Sequence, residues 1–314
     1  MAGTNFTKEL LRVFLVTALL FLPAMSEELG WMRTFIPLPV FYILVIYGEK
    51  DGIAPLSKAL VAAGIGCIVI SALPGFIISL SFLPLAFVLA RSVRQEHSVL
   101  HAGMTGSIAL AFVWFIGAFL YGMIEHVHPY RQILDTIDIS LTETFKSYQQ
   151  SSEISADTLT QIESAFSRIR TVIPVIFPAI IIITILCTVW INMMLGDMLI
   201  KKKNMHLSHW PPYGQWKLPD QLVWVVILSG IGLMLPMPAL NKICLNGVLI
   251  SGILYFFQGL AVLSNLFNRW AVPWAFRFFV YALILIQAYG IIFLAIAGLI
   301  DVWFDLRKSR NETT

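Results

Sequence analysis

The chain has 314 residues, of which 58% are hydrophobic and only 12% are charged, and its formal net charge at pH 7 is +3. Its mean hydropathy is +0.81, which excludes a water-soluble domain, because a chain this apolar cannot hide its surface in one aqueous core. We therefore predict an all-α, polytopic transmembrane helical bundle whose apolar surface is covered by the lipid bilayer. The three cysteines lie inside apolar runs, which gives no indication of a disulfide framework.

Ten apolar segments are candidates for membrane spans, since one span takes about 20 predominantly apolar residues. Several are short and contain prolines, which is tolerated only where neighbouring protein or a cavity satisfies the freed backbone groups. In chain order they are 9–25, 33–48, 56–72, 75–91, 98–123, 172–199, 220–239, 243–266, 272–287 and 289–304. The first is interpreted as a retained helix, because no small-residue cleavage site follows it.

Lysine and arginine indicate the orientation of these segments, because they collect on the cytoplasmic side of membrane proteins. An alternating path places every basic cluster on one side, with both termini in the cytoplasm. It also favours two final segments that turn near 287–290, since a single span there would export Arg307. The clusters consist of Lys8, Arg12, Lys50, Lys58, Arg91, Arg94, Lys201, Lys202, Lys203, Arg269, Arg277, Arg307, Lys308 and Arg310.

One long polar connection, residues 124–171, falls on the outer side of this topology and is more acidic than basic. Its apolar residues recur at helical spacing in two stretches that a serine-rich break separates. We predict an external amphipathic helical hairpin between N-terminal transmembrane helices (1–123) and C-terminal transmembrane helices (172–314). The two apolar faces consist of Ile133, Ile137, Leu141 and Phe145, and of Leu159, Ile162, Phe166 and Ile169.

Polar side chains inside apolar segments are the candidate functional residues, because burying them in a membrane is costly. The candidate ligand-binding residues are all amides: Asn192, Asn246, Gln258 and Asn265. Gln258 precedes Gly259, and this pair offers a donor, an acceptor and room for close approach of a ligand or another helix. The alternative is that such amides only cross-link helices, each contributing about 1 kcal/mol.

Signatures of catalysis and of metal binding do not occur in the sequence. It has no hydrolase nucleophile motif, Walker lysine or paired-cysteine motif, so we predict neither an enzyme nor a cofactor. Its histidines sit at predicted interfaces, where they need no ligand, and we predict no metal. Asp197, Asp301 and Asp305 lie near segment ends beside Lys201 and Arg307, which predicts interfacial ion pairs rather than a proton pathway. No nucleic-acid partner is expected.

Local patterns of helices and turns run through the whole chain. They are Pro37-Leu38-Pro39, Tyr47-Gly48, Trp216-Lys217-Leu218-Pro219, and the runs 255–262, 298–301 and 304–307. Together with the polar loop, they resemble the bacterial YybS-like family of predicted membrane proteins, a family without an established function. The resemblance implies a multi-pass protein of the bacterial cytoplasmic (inner) membrane and supplies no catalytic residues.

Residues 1–120 carry a second resemblance. Their short, proline-marked helices, with Gly48 and Gly52 closing the second, are similar to the substrate-capture subunits of energy-coupling-factor vitamin transporters. Those subunits bind a small molecule and dock on a separate ATPase-driven module. The long outer loop and the additional C-terminal spans of this chain depart from that pattern.

Two function hypotheses of different classes follow from these observations. The first is a non-enzymatic, transport-related protein that captures a small solute between the N-terminal helices and the amide-bearing pair 220–266. The second is a non-catalytic scaffold for a membrane or envelope protein complex, with the outer hairpin as its contact surface. The lipid bilayer is a partner under both hypotheses, a small-molecule solute under the first, and other membrane proteins under the second.

Overall fold

The computed structural model of the protein describes residues 2–150, 155–203 and 209–307, and these residues form helices and no strands. The α-helices are α1 (Ala2–Met25), α2 (Pro37–Val69), α3 (Leu73–Leu80), α4 (Leu83–Arg94), α5 (Val99–Glu125), α6 (Pro129–Gln150), α7 (Ala156–Lys201), α8 (Val223–Leu233), α9 (Pro238–Arg269), α10 (Trp274–Ile286) and α11 (Ala288–Phe304). Short 3-10 helices cover Glu27–Phe35, Tyr213–Gln215 and Asp220–Leu222. The predicted all-α class is confirmed.

All ten predicted segments coincide with helices, but they do not form ten separate helices of membrane-spanning length. Within the described ranges, five helical stretches are long and apolar enough to cross a membrane, or six if a bent pair counts as one span. The five stretches are Glu27–Val69, Leu73–Arg94, Val99–Glu125, Ala156–Lys201 and Pro238–Arg269. Segments 33–48 and 56–72 share α2, segment 220–239 contains only the shorter apolar helix Asp220–Leu233, and the last two segments form the bent pair.

Glycine and proline account for the irregular course of the early helices. α2 is kinked at Gly48, whose φ of +78° lies in the region that favours glycine. Pro37 stands in the first turn of α2, where a missing N–H costs no helical hydrogen bond. The short segments of the sequence are therefore pieces of broken helices.

The final apolar stretch forms two helices, as the sequence predicts. α10 ends at Ile286, and Gln287 adopts an extended conformation before α11 begins. The two helices are bent by 106° relative to each other.

The described helices belong to two compact units. The first unit comprises Met1–Val113, Thr184–Val223 and Gly252–Thr314, and the second comprises Trp114–Ile183 and Trp224–Ser251. The polar connection 124–171 belongs to the second unit, and three of the four candidate amides belong to the first.

Charged contacts join the ends of the N-terminal helices in the first unit. Lys58 pairs with Glu9 at 2.6 Å, and Arg94 pairs with Glu49. The guanidinium of Arg12 lies 3.5 Å from the centre of the Tyr47 ring. Basic residues that the topology prediction assigns to one side of the membrane thus meet their partners within this unit.

In the second unit, α6 pairs with the first half of α7 in a helical hairpin. The Phe145 and Phe166 rings meet edge to face, 6.1 Å apart, on the predicted apolar faces. Ile133 and Ile169 remain 43% and 36% exposed, and α6 has no fully buried residue. The second arm is not a separate loop helix, because it continues into the apolar segment 172–199 as the single helix α7, which has 46 residues.

Candidate functional site

Gln258 stands at the centre of a buried polar cluster in the first unit. Its side chain is 2% exposed, its Nε2 donates to Oδ2 of Asp301 at 2.9 Å, and its Oε1 accepts the backbone N–H of Leu218 at 3.2 Å. Asp301 is fully buried and pairs with Arg307 at 3.0 Å, which confirms the predicted ion pair. The Gln258 amide therefore links the carboxylate of Asp301, whose charge is paired with Arg307, to the segment that precedes α8.

A left-handed turn after α11 gives this cluster its geometry. Asp305 has a φ of +39°, which ends the helix and reverses the chain. The N–H of Leu306 then bonds Oδ1 of Asp301 at 3.0 Å. Arg307 donates to the backbone oxygens of Gly214 and Trp216 at 3.0 and 2.6 Å. The C-terminal turn thus fixes residues 214–218 against α9 and α11.

Glycines let α9 and α11 cross with their backbones in contact. A Cβ on Gly259 would lie 1.9 Å from the carbonyl oxygen of Leu294, and one on Gly298 would lie 2.0 Å from that of Tyr255. The close approach predicted at Gly259 is therefore made by another helix.

Aromatic side chains fix residues 210–216, a feature that the sequence analysis did not identify. Trp190 stacks on Phe257 with a ring separation of 4.5 Å, and Tyr213 meets Trp190 edge to face at 5.7 Å. The Tyr213 hydroxyl donates to the Phe257 backbone oxygen at 2.8 Å, and burial raises the pKa of this phenol above its ordinary value. The available signal was the density of aromatic residues in this stretch: Trp210, Tyr213 and Trp216.

Asn246 lies in the second unit and bonds only backbone groups. Its Oδ1 accepts the N–H of Ala179 at 2.8 Å. Its Nδ2 donates to the backbone oxygens of Val175 and Lys242 at 2.8 and 2.7 Å. This amide cross-links α9 to α7.

Asn192 is a fully buried candidate amide, and one of its hydrogen-bonding atoms is unused. Its Nδ2 donates to the backbone oxygens of Thr34 and Thr188, both at 2.7 Å, whereas its buried Oδ1 has no hydrogen-bond partner. Arg33, the neighbour of Thr34, has a buried Nε that also lacks a partner. Buried polar atoms are normally bonded, so this acceptor and this donor are available to a ligand or to water.

Asn265 is half-buried, and its backbone packs against Gly214, where an added Cβ would lie 3.1 Å from the Asn265 N and Cα atoms. Within the described ranges its side chain makes no hydrogen bond. Gln258 and Asn265 thus flank the same segment, 214–218. Asn192 shares no hydrogen-bond partner with Gln258, and Asn246 bonds groups of the second unit.

An open apolar groove of about 530 Å³ lies among α2, α3 and α4 of the first unit. Its lining consists of Leu60, Val61, Phe76, Leu80, Leu83, Pro84 and Phe87. These side chains suit a hydrocarbon chain and offer nothing to orient a polar solute. In the part of the chain that the structure describes, no group of three or more His, Cys, Asp or Glu side chains is arranged to hold a metal ion.

The helices, the buried ion pair and the amide cross-links define a polytopic helical membrane protein. A family model described as "Predicted membrane protein (DUF2232)" matches residues 11–302, and the chain therefore belongs to that family. Comparisons with curated proteins and with solved structures each gave no match. The family description names no activity.

Proposed function

We propose that the protein is a non-enzymatic scaffold of the bacterial cytoplasmic membrane, in which the hairpin of α6 and the first half of α7 contacts other membrane or envelope proteins. The continuity of α7 carries this proposal. A helix of 46 residues has more than twice the about 20 residues that one crossing of the bilayer takes. An arm of this helix therefore projects beyond the lipid.

The projecting arm is braced along its length. Arg170 donates from Nε to Asp138 Oδ1 at 2.6 Å and from Nη2 to Thr142 Oγ1 at 2.7 Å. Exposed pairs of this kind contribute only about 0–1 kcal/mol, so they set the register of the two helices more than they stabilise the fold. A hairpin with a fixed register presents one defined surface.

Apolar side chains on this hairpin are left uncovered by the residues that the structure describes. Ile139 is 58% exposed and Ile133 is 43% exposed, although the arm also carries charged residues typical of an aqueous surface. Exposed apolar groups on such an arm favour burial by a partner. By contrast, Asn246 and Gln258 use their amides on protein groups, which supports structural roles for them.

Site-specific photo-crosslinking tests the scaffold function. A photoreactive residue at Ile139 is expected to crosslink one or a few defined proteins in intact cells, and Ile139→Glu with Ile133→Glu should abolish that complex. The matched controls are a photoreactive residue at Phe115, an exposed position on α5, and the polar substitution Ser140→Asn on α6. Equal crosslinking from Phe115, or complexes that survive both isoleucine substitutions, would show that the hairpin is not the contact surface.

Transport-related capture of a small solute is the second candidate, and the unpartnered Oδ1 of Asn192 and Nε of Arg33 favour it. The resemblance to the YybS-like family leaves this function open, and the resemblance to energy-coupling-factor capture subunits supports it. Native mass spectrometry of the purified protein tests it. A small molecule that is lost with Asn192→Leu and kept with Asn265→Leu would support capture, and an unchanged spectrum would contradict it.

A further inference from the structure

Helix α7 has an interruption in its backbone hydrogen bonding between residues 174 and 179. An α-helix joins each N–H to the carbonyl oxygen four residues earlier. Pro178 has no N–H to donate to Pro174, and Pro174 has none to donate to Arg170. Two bonds in successive turns are thus chemically impossible, at the place where the hairpin arm meets the apolar part of α7.

Side chains from two other helices bind the groups around this interruption. The Tyr130 hydroxyl of α6 donates to the Pro174 backbone oxygen at 3.0 Å. The amide of Asn246 in α9 bonds both the Val175 oxygen and the Ala179 N–H at 2.8 Å. In an unbroken helix these last two groups bond each other, so the amide spans a pair of backbone groups that is normally closed.

The other leg of the hairpin has a joint at the same level. α5 ends at Glu125 and α6 begins at Pro129, and between them His126 has a φ of +55°. Tyr130, in the first turn of α6, reaches Pro174 directly. A hairpin can tilt only if both legs bend at one level, and this arrangement meets that condition.

We propose that residues 174–179 are a hinge that lets the hairpin tilt, and that Tyr130 and Asn246 are the latch that holds it in the observed position. We infer that this movement regulates how the hairpin contacts a partner, and this part of the proposal rests on the proposed scaffold function. The hinge itself rests only on the two prolines, the turn at 126–128 and the three latch contacts.

The opposing interpretation is that Tyr130 and Asn246 only repair a fixed kink. Under that interpretation, removing a latch group lowers the stability of the whole protein and leaves the hairpin at one angle. Under the hinge proposal, the same change releases the hairpin while the rest of the protein stays folded. The position of the hairpin therefore distinguishes the two.

Pulsed electron–electron double resonance between two spin labels on the full chain measures that position. Spin labels are placed at Lys146 on the hairpin and Phe119 on α5, both exposed, in a background in which alanine replaces the native cysteines. Tyr130→Phe and Asn246→Leu are each expected to broaden and shift the distance distribution. Thr142→Val, which removes two hydrogen bonds that both lie inside the arm, is the control and should leave the distance distribution unchanged.

A second part of the experiment restores the N–H that Pro178 lacks. Pro178→Ala returns an N–H that can bond the Pro174 oxygen, so it should narrow the distribution and make Tyr130→Phe ineffective. Unchanged distributions in folded Tyr130→Phe and Asn246→Leu proteins would overturn the proposal. If the Asn246→Leu protein fails to fold, the Tyr130→Phe protein decides between a hinge and a fixed kink, because the loss of a single oxygen atom leaves the packing intact. The measurement needs no partner protein, so its failure is separate from a failure of the crosslinking test.

Discussion

Helix α9 carries two candidate amides whose surroundings differ. Asn246, in the second unit, bonds three backbone groups and no charged side chain. Gln258, in the first unit, bonds a buried carboxylate that is already paired with Arg307. The same chemical group thus closes a backbone interruption in one region and completes a charge cluster in the other. The partners of an intramembrane amide, rather than its type or helix, determine its role.

The two regions should also respond differently to mutation. Without Asn246, the Val175 oxygen and the Ala179 N–H can bond each other across one helical turn. Without Gln258, the Leu218 N–H loses its acceptor and Asp301 loses one donor, with no substitute nearby in the described contacts. A buried group left unbonded costs about 1–3 kcal/mol, so the charge cluster is expected to be the more sensitive region.

The largest effect is expected from Asp301→Ala. This change leaves the guanidinium of Arg307, which is 10% exposed, buried without its counter-charge, and breaking such a pair costs about 3–5 kcal/mol. Unfolding in mixed detergent micelles, followed by tryptophan fluorescence, measures the loss. The double variant Asp301→Ala with Arg307→Met should recover much of it, and Asp220→Ala, at an exposed carboxylate, is the control. A double variant as unstable as the single one would show that the buried charge is not the cause.

The second-largest loss of stability is expected at the crossing of α9 and α11 beside Gln258. Gly259→Ala places a Cβ against the Leu294 carbonyl oxygen, and overpacking of this kind costs about 1–3 kcal/mol or more. Gly252→Ala in the same helix meets nothing within 4 Å and should be neutral or slightly stabilising. Thermal unfolding of both variants in the same detergent makes the comparison, and equal shifts would contradict the close crossing.

The smallest difference is between the amides themselves. Gln258→Leu is expected to lower the free energy of unfolding by about 1–3 kcal/mol, and Asn246→Leu by about 0.6–1 kcal/mol, the usual range for a hydrogen bond between membrane helices. The same micelle titration compares them. A larger loss at Asn246 would mean that the 174–179 turn cannot close its own hydrogen bond.

Local patterns were sufficient to predict much of this molecule. The ion pairs of Asp197 with Lys201 and of Asp301 with Arg307 follow from neighbouring positions on a helix or turn. The close approach at Gly259 follows from the missing side chain. The apolar faces of the hairpin follow from helical spacing, because they depend on one helix at a time.

Features that depend on two distant segments were not predictable in this way. Nothing local relates Asn246 to Ala179 or Arg307 to Gly214, since each contact needs the register of two packed elements. The continuity of α7 did have a local signal that the sequence analysis did not use. Between Ala156 and Pro174 there is no glycine or proline to end a helix, which favours a single element that contains both the arm and the span.

The left-handed turn at Asp305 has a consequence for biosynthesis. Arg307 leaves the ribosome 91 residues after Trp216, whose carbonyl it binds. During translation, residues 214–218 therefore lack their hydrogen bonds to Arg307 until nearly all the apolar helices have been synthesised. A nascent chain interrupted before Arg307 therefore holds this segment only through earlier contacts such as the bond between Leu218 and Gln258.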